Sequence, residues 1–316
     1  AGLQTPILGS GEPVIEVWSG RHAARDHTIG DVRCRANGEM LFATVSIPAS
    51  DDEDAFGVAT YAAYRSLLEA RETAGYPYLL RIWNSIPHIN ADDAGLERYR
   101  RFNLGRFKAY QEVAMPTQSG APAACALGSF GGPLVLYCLA SKTPPEAIEN
   151  PRQTSAYQYP VQYGPRAPSF SRAALWRGAD ADSDVLFISG TASIVGHQTL
   201  HHGNVVAQAH ETLTNLQAIV GEAISRDARG LATLSDLWLK AYIRHATDAT
   251  AVRQVLAGHG LDADAVLYLQ ADICRADLLV EIEAVGPRSA VRIETSDTPD
   301  SRSRSSGDTR APQESV

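Results

Sequence analysis

One order of elements occurs twice in this chain, and it restricts the fold more than any single motif does. In the second half, Asp184 to Ser193 reads as a strongly apolar strand, and Asn204 opens a helix. Val205, Ala209, Leu213, Leu216 and Val220 then recur at steps of three and four, which gives one buried stripe. Leu237, Leu239, Ala241 and Ile243 alternate with Trp238, Lys240, Tyr242 and Arg244, the pattern of a half-buried strand. Ala249 to Ala257 reads as a short helix stopped by Gly258 and Gly260, and strands are expected over Ala265–Ala271 and Leu278–Val285. The first half has a similar order: strand Met40–Ile47, helix Asp54–Arg71, strand Tyr78–Trp83, helix Ala94–Val113, then strands Ala121–Leu127 and Pro133–Leu139. An order without regular βαβ alternation predicts α+β architecture, with sheets that carry helices on one face.

The 316 residues divide accordingly. Residues 1–13, rich in Gly and Pro, are expected to form a flexible arm, with 14–140 the first unit and 183–290 the second. Residues 141–182 are a connector dense in Pro, Tyr and Arg, and a link of that length without structure is more often functional than idle. Residues 291–316 are expected to be disordered, since the last twenty-one hold six serines and almost nothing to bury.

Charge and motif content exclude several classes. With 28 basic and 36 acidic side chains the net charge is −8, which argues against a nucleic-acid binder. No run approaches the roughly 18 apolar residues of a membrane helix, and the N-terminus shows no secretory pattern. Cys34, Cys125, Cys138 and Cys274 form no CxxC pair, so a reducing cytoplasm is expected. His197 and His201 have i, i+4 spacing but lie in a loop between Gly196 and Gly203, and His202 completes no donor set; no metal is expected. Neither a phosphate-cradling glycine loop nor a GxSxG elbow is present.

Three segments remain that can carry chemistry. On the helix from Glu97 to Arg106, Tyr99, Phe102 and Arg106 share one face, and a hydroxyl with a guanidinium fork suits a carboxylate; the alternative is a solvated basic helix. From Tyr157 to Arg172, three tyrosines and two arginines sit among helix breakers, which fits a planar anionic ligand or a linker covering the core. On the last strand, Glu281 and Glu283 share one face, opposite Val280 and Ile282. In a dry pocket such a carboxyl would hold its proton and serve as a general acid; on a wet face it would merely be solvated. Cys274 is either a small buried apolar residue or part of the site.

Phe187-Ile188-Ser189-Gly190-Thr191-Ala192-Ser193, the helix carrying Glu211-Thr212 and Asn215-Leu216, and the ending Val280-Glu281-Ile282-Glu283-Ala284 resemble the RidA/YjgF superfamily. The penultimate-strand arginine of RidA deaminases has no counterpart near Val266, so imine deamination is not implied. A resemblance covering most of the chain is to the chorismatases. It is carried by Arg81-Ile82-Trp83-Asn84-Ser85-Ile86-Pro87, the Tyr99–Arg106 helix, Tyr163-Gly164-Pro165-Arg166, Ser169-Phe170-Ser171-Arg172, the Gly190–His197 stretch and the Asp272–Glu283 strand pair.

That resemblance implies two RidA/YjgF-like (chorismate mutase-like) sheet-plus-helices units forming a barrel-like core, as a monomer or homotrimer. It implies cleavage of the enolpyruvyl ether of chorismate to pyruvate and 3-hydroxybenzoate, with 4-hydroxybenzoate or a dihydroxycyclohexadiene carboxylate as other products, and no cofactor. Glu281 becomes the acid, and Tyr99, Arg106, Tyr159 (or Tyr163) and Arg172 the substrate contacts. Cys274 matches the hydroxybenzoate-forming subgroup, and Gly196, or alternatively Gly190, is its small partner across the pocket. The competing readings are a RidA-like module that binds a metabolite without converting it, and a pterin-related oxygenase, which the lack of an iron site disfavours.

Overall fold

The computed structural model describes residues 3, 5–9, 14–18, 22–48, 55–93, 95–178, 184–289 and 294–295. The first half supplies β1 (Arg25–Ile29), β2 (Val32–Ala36), β3 (Met40–Ile47), α1 (Ala55–Thr73), β4 (Tyr78–Pro87), α2 (Arg98–Glu112), β5 (Ala123–Ser129) and β6 (Leu134–Ser141). The rest supplies β7 (Glu146–Ile148), β8 (Ala173–Arg177), β9 (Asp184–Ala192), α3 (Val205–Ile224), β10 (Trp238–Ile243), α4 (Ala249–Gly258), β11 (Leu267–Gln270), β12 (Asp272–Ile273) and β13 (Val280–Gly286). A seven-stranded sheet runs β12-β5-β4-β6-β3-β2-β1 and a six-stranded sheet β7-β8-β9-β13-β10-β11. The β4–β5 and β10–β11 pairs are parallel, whereas the other ladders are antiparallel.

Each sheet carries its helices on one face, so the layers run helix, sheet, sheet, helix. Phe56, Leu67, Phe102 and Tyr110 of α1 and α2 pack on the first sheet. Gly105 lets the two helices approach, because a Cβ there would stand 2.9 Å from Thr60 Cβ. The α3 stripe Ala209, Leu213, Leu216 and Val220 packs on the second sheet. Asn204 caps that helix by accepting from the Ala207 amide at 3.0 Å. Between the sheets lies a third apolar layer including Leu80, Trp83, Cys125, Phe187, Tyr242 and Val285. Each fully buried large side chain in such layers contributes about 1.5–3 kcal/mol.

Several sequence expectations change here. The sheets are open and form no barrel. Where β5 faces β8 and β9, the link includes one bridge, Ala123 to Ser171, and two hydroxyls: Ser171 Oγ donates to Ala121 O at 2.6 Å, and Ser189 Oγ accepts from the Ala124 amide at 2.9 Å and donates to Ser171 O at 2.6 Å. Among the described residues no continuous ladder closes the ring. β10 is buried on both faces, not half-buried, because the side carrying Lys240 and Tyr242 meets the other sheet instead of water. The connector is not structureless, since Glu146–Ile148 and Ala173–Arg177 extend the second sheet. The β1–β2 hairpin was not foreseen. Part of the N-terminal arm is tied down: Gln270 donates its amide to Pro6 O and Leu8 donates to Tyr268 O. The tail over 296–316 lies outside the described residues. No helix among the described residues is long and apolar enough to cross a membrane.

Candidate active site

Alternation along β13 decides where its carboxyls go. Val280, Ile282 and Ala284 join the core beneath α3 and α4, so Glu281, Glu283 and Val285 point between the sheets. Both glutamates are only 4% exposed, which removes the solvated-strand reading. Opposite them, the β9–β13 ladder slips between Ile188 and Thr191. This irregularity brings Gly190 against the acid: a Cβ there would collide with Glu281 Oε1 and stand 2.7 Å from its carboxyl carbon.

Glu281 forms part of the wall of a cavity of about 330 Å³. Tyr99 enters this wall from α2, Tyr159, Tyr163 and Arg172 from the connector, Gly190 from β9, and Cys274 and Arg275 from the loop after β12. Arg172 is 3% exposed and donates through Nη2 to Tyr159 Oη at 2.7 Å and Thr154 O at 2.9 Å. Its Nε has no hydrogen-bond partner among the described residues. The Arg275 guanidinium lies 3.9 Å from the Tyr163 ring centre and 5.0 Å from that of Tyr159. It donates through Nη1 to His197 O at 2.9 Å, while its buried Nη2 has no partner among the described residues. Two guanidinium groups set in aromatic walls therefore keep donors to spare. A larger cavity of about 500 Å³ lies on the other side of Cys125 and is walled by aromatic side chains. Two charged residues in its lining, Lys240 and Glu16, pair with each other at 2.6 Å.

The two glutamates differ in protonation. Burial, with the charge of Glu283 second, pushes the Glu281 carboxyl up to about 8, against the opposing pull of Arg81 and Arg172. Burial acts on Glu283 too, but Lys240 and Arg81 outweigh it and hold that carboxyl at about 2. Arg81 Nη2 donates to Glu283 at 2.6 Å, Trp83 Nε1 at 3.0 Å and Lys240 Nζ at 3.0 Å. Cys274 is a thiol, its pKa pushed up to about 12 by burial and then by Glu281. Burial likewise keeps Tyr99 protonated, its pKa raised above the usual tyrosine value.

Glu281, Cys274, Tyr99, Tyr159, Tyr163 and Arg172 thus meet at one cavity. Two other residues singled out in the sequence do not reach it. Arg106 is 2% exposed and lies behind Tyr99, over the Phe102 ring at 5.1 Å, with Nη2 donating to Asn103 Oδ1 at 2.7 Å. The face it shares with Tyr99 is buried, so α2 is not a solvated basic helix. Gly196 holds the connector from behind, its amide donating to Arg152 O and its carbonyl accepting from the Thr154 amide. Gly190 is the glycine at the acid.

His201 and His202 stand beside acidic partners, Glu211 at 3.5 Å and Asp277 at 3.4 Å. Among the described residues no group of three or more His, Cys, Asp or Glu side chains is placed to hold a metal. Sequence reasoning missed Arg275 and the Arg81–Glu283–Lys240 cluster. Arg275 follows Cys274 directly, and Arg81 and Trp83 alternate with Ile82 as Lys240 and Tyr242 do with Ala241. These were the available signals.

Residues 16–140 match the family model described as "Chorismatase FkbO/Hyg5-like, N-terminal". A 3-hydroxybenzoate synthase of Streptomyces hygroscopicus is 38% identical over 294 residues, covering 88% of this chain and 83% of that protein. A chorismatase of Streptomyces rapamycinicus is 36% identical over 279 residues, covering 87% of this chain and 82% of its own length. Among solved structures, a chorismatase crystal structure aligns with a TM-score of 0.75 at 34% identity, covering 82% of this chain and 78% of that one.

Proposed function

The chain belongs to the chorismatase family, and on that premise we propose that it cleaves chorismate to pyruvate and 3-hydroxybenzoate, with Glu281 as general acid. The observation that carries this reading is a buried carboxyl, held toward its protonated form by burial, in the wall of a cavity that two guanidinium groups also line. Chorismate is a nearly planar ring bearing two carboxylates, one on the ring and one on the enolpyruvyl arm. Arg172 and Arg275 supply the two forks, and Tyr99, Tyr159 and Tyr163 supply apolar walls with hydroxyl tips.

Glu281 gives its proton to the terminal CH₂ of the enol ether, which leaves an oxocarbenium ion beside the new carboxylate. That carboxylate stabilises the cation it has made. Water adds to the oxocarbenium, and the hemiketal collapses to pyruvate and a ring diol. Loss of the C4 hydroxyl as water, with the C3 proton, gives 3-hydroxybenzoate. One water enters and one leaves, and the proton lost from the adding water restores Glu281. Cys274 acts as a neutral thiol, filling the wall beside the acid. The relative that forms 3-hydroxybenzoate supports the aromatic product.

The test is incubation of purified protein with chorismate, followed by chromatography of the products. Pyruvate and 3-hydroxybenzoate in equal amounts are expected, and unchanged chorismate refutes the proposal.

A further inference from the structure

Two carboxyls two residues apart on one strand face, each only 4% exposed, stand about 7 Å apart along the strand. Like charges that close in a dry medium do not both form readily, so the layer must settle which group keeps a proton. The hydrogen bonds settle it. Glu283 receives Arg81, Trp83 and Lys240 directly, and Lys240 is shared with Glu16 at 2.6 Å. Two cations and two anions make that cluster neutral without Glu281. Among the described residues, Glu281 has no ion pair, and Arg172 directs its Nη2 to Tyr159 and Thr154 instead.

Resting on the reading of Glu281 as the acid, we propose that Glu283 is a positioning residue: an anion clamped by Arg81, Trp83 and Lys240 that holds the catalytic proton on Glu281. The groups packed around the acid agree with this. Arg81 from β4 and Arg172 ahead of β8 are the cations that oppose a proton there. Cys125 from β5, Tyr242 from β10, Tyr99 from α2 and Cys274 from the loop after β12 are all driven to their neutral forms by burial. Register supports the pairing as well, since β10 sets Tyr242 opposite Glu281 and Lys240 opposite Glu283. The cluster therefore serves the reaction without touching substrate. It divides the space between the sheets into a charged half that stays ionised and a half that stores one proton.

The experiment titrates the full-length protein, carrying ¹³Cδ-labelled glutamate, by NMR, with Glu281→Gln to assign the resonance. It also records kcat/KM for chorismate against pH. In the wild type the Glu281 resonance and the alkaline limb of the rate profile are expected to share an apparent pKa. In Glu283→Gln both are expected to fall by about 1–3 pH units, the usual span for a change of neighbouring charge. Activity at pH 8 then drops about 5–500-fold while activity near pH 5.5 falls by no more than about fourfold. Glu283→Asp, which keeps the charge, is expected to restore the limb. Lys240→Met is expected to move it the other way, and this opposite sign carries the test should the Gln variant not fold. An unshifted Glu281 resonance, or an equal loss of rate at every pH, overturns the proposal. Failure to turn over chorismate at any pH overturns the reading of function instead, and the resonance still reports where the proton sits.

Discussion

Replacing Gly190 with alanine tests the placement of the acid through a single methyl group. The added Cβ would stand 2.7 Å from the Glu281 carboxyl carbon and 3.1 Å from Cys125 Cβ, with the near carboxyl oxygen closer still. Ordinary contact begins near 3.4 Å, so the carboxyl carbon must retreat by at least 0.7 Å (3.4 − 2.7). Its oxygen must move farther, by roughly 1 Å or more, and a misplacement of about 1 Å at a reacting group costs on the order of 10²-fold in rate. Overpacking of this kind destabilises a folded protein by only about 1–3 kcal/mol, so the variant is expected to fold. Pyruvate release, coupled to NADH oxidation by lactate dehydrogenase, should show kcat reduced about 100-fold with KM changed less than about threefold. Circular dichroism and thermal melting check that the fold persists. A folded Gly190→Ala protein whose kcat lies within threefold of the wild type would refute the argument, since it would mean that the carboxyl is not the group that must be held there.

Glu281→Gln is expected to lower kcat by about 10²–10⁴-fold, measured by the same coupled assay. It should also flatten a pH dependence of stability. Because folding raises this carboxyl from 4.5 to about 8, the unfolded chain releases the proton first, and wild-type stability falls as pH rises through that window. Urea titrations at pH 5 and pH 8 should therefore show a loss on the order of 4 kcal/mol in the wild type that the Gln variant lacks. Arg275→Met is expected to raise KM for chorismate about 10–100-fold, the loss of a charge-assisted hydrogen bond, with a smaller effect on kcat. Arg106→Met should lower the melting temperature more than it raises KM, because the guanidinium is enclosed behind Tyr99. Cys274→Ala is expected to shift product toward the ring diol, read by chromatography, and an unchanged product would deny the thiol a directing role.

What the sequence disclosed follows the strength of its periodicities. The apolar run Met40–Ile47 reads as a strand with the bounds it has, and the Asn204 cap places the start of α3 within a residue. Glu281 was legible for the same reason, since alternation sets it on one face with Glu283, and the family resemblance picked it as the acid. The faces of β10 were not legible, because Lys240, Tyr242 and Trp238 look wet until a second sheet covers them. Only the tertiary pairing of Arg81 and Lys240 with Glu283 explains why such polar letters are buried. Arg275 was passed over for a similar reason. A loop arginine has no periodic signature, and its stacking on Tyr163 joins residues 112 positions apart (275 − 163). Gly196 and Gly190 could not be separated from letters alone, since the choice depends on a ladder slip that pairing reveals.

The strand bearing the acid has hydrogen-bonded neighbours on both edges, β9 and β10, and lies deep in its sheet. The proposed proton donor is thus mounted on a strand paired along both edges, where backbone amides should be among the last to exchange with deuterium. Tyr159, Tyr163 and Arg275 sit instead on short turns and a loop, which can drift in sequence without unpicking any ladder. On the proposed function, selection acting on how substrate is held therefore has a pliable rim to work with, while the proton donor stays locked in place.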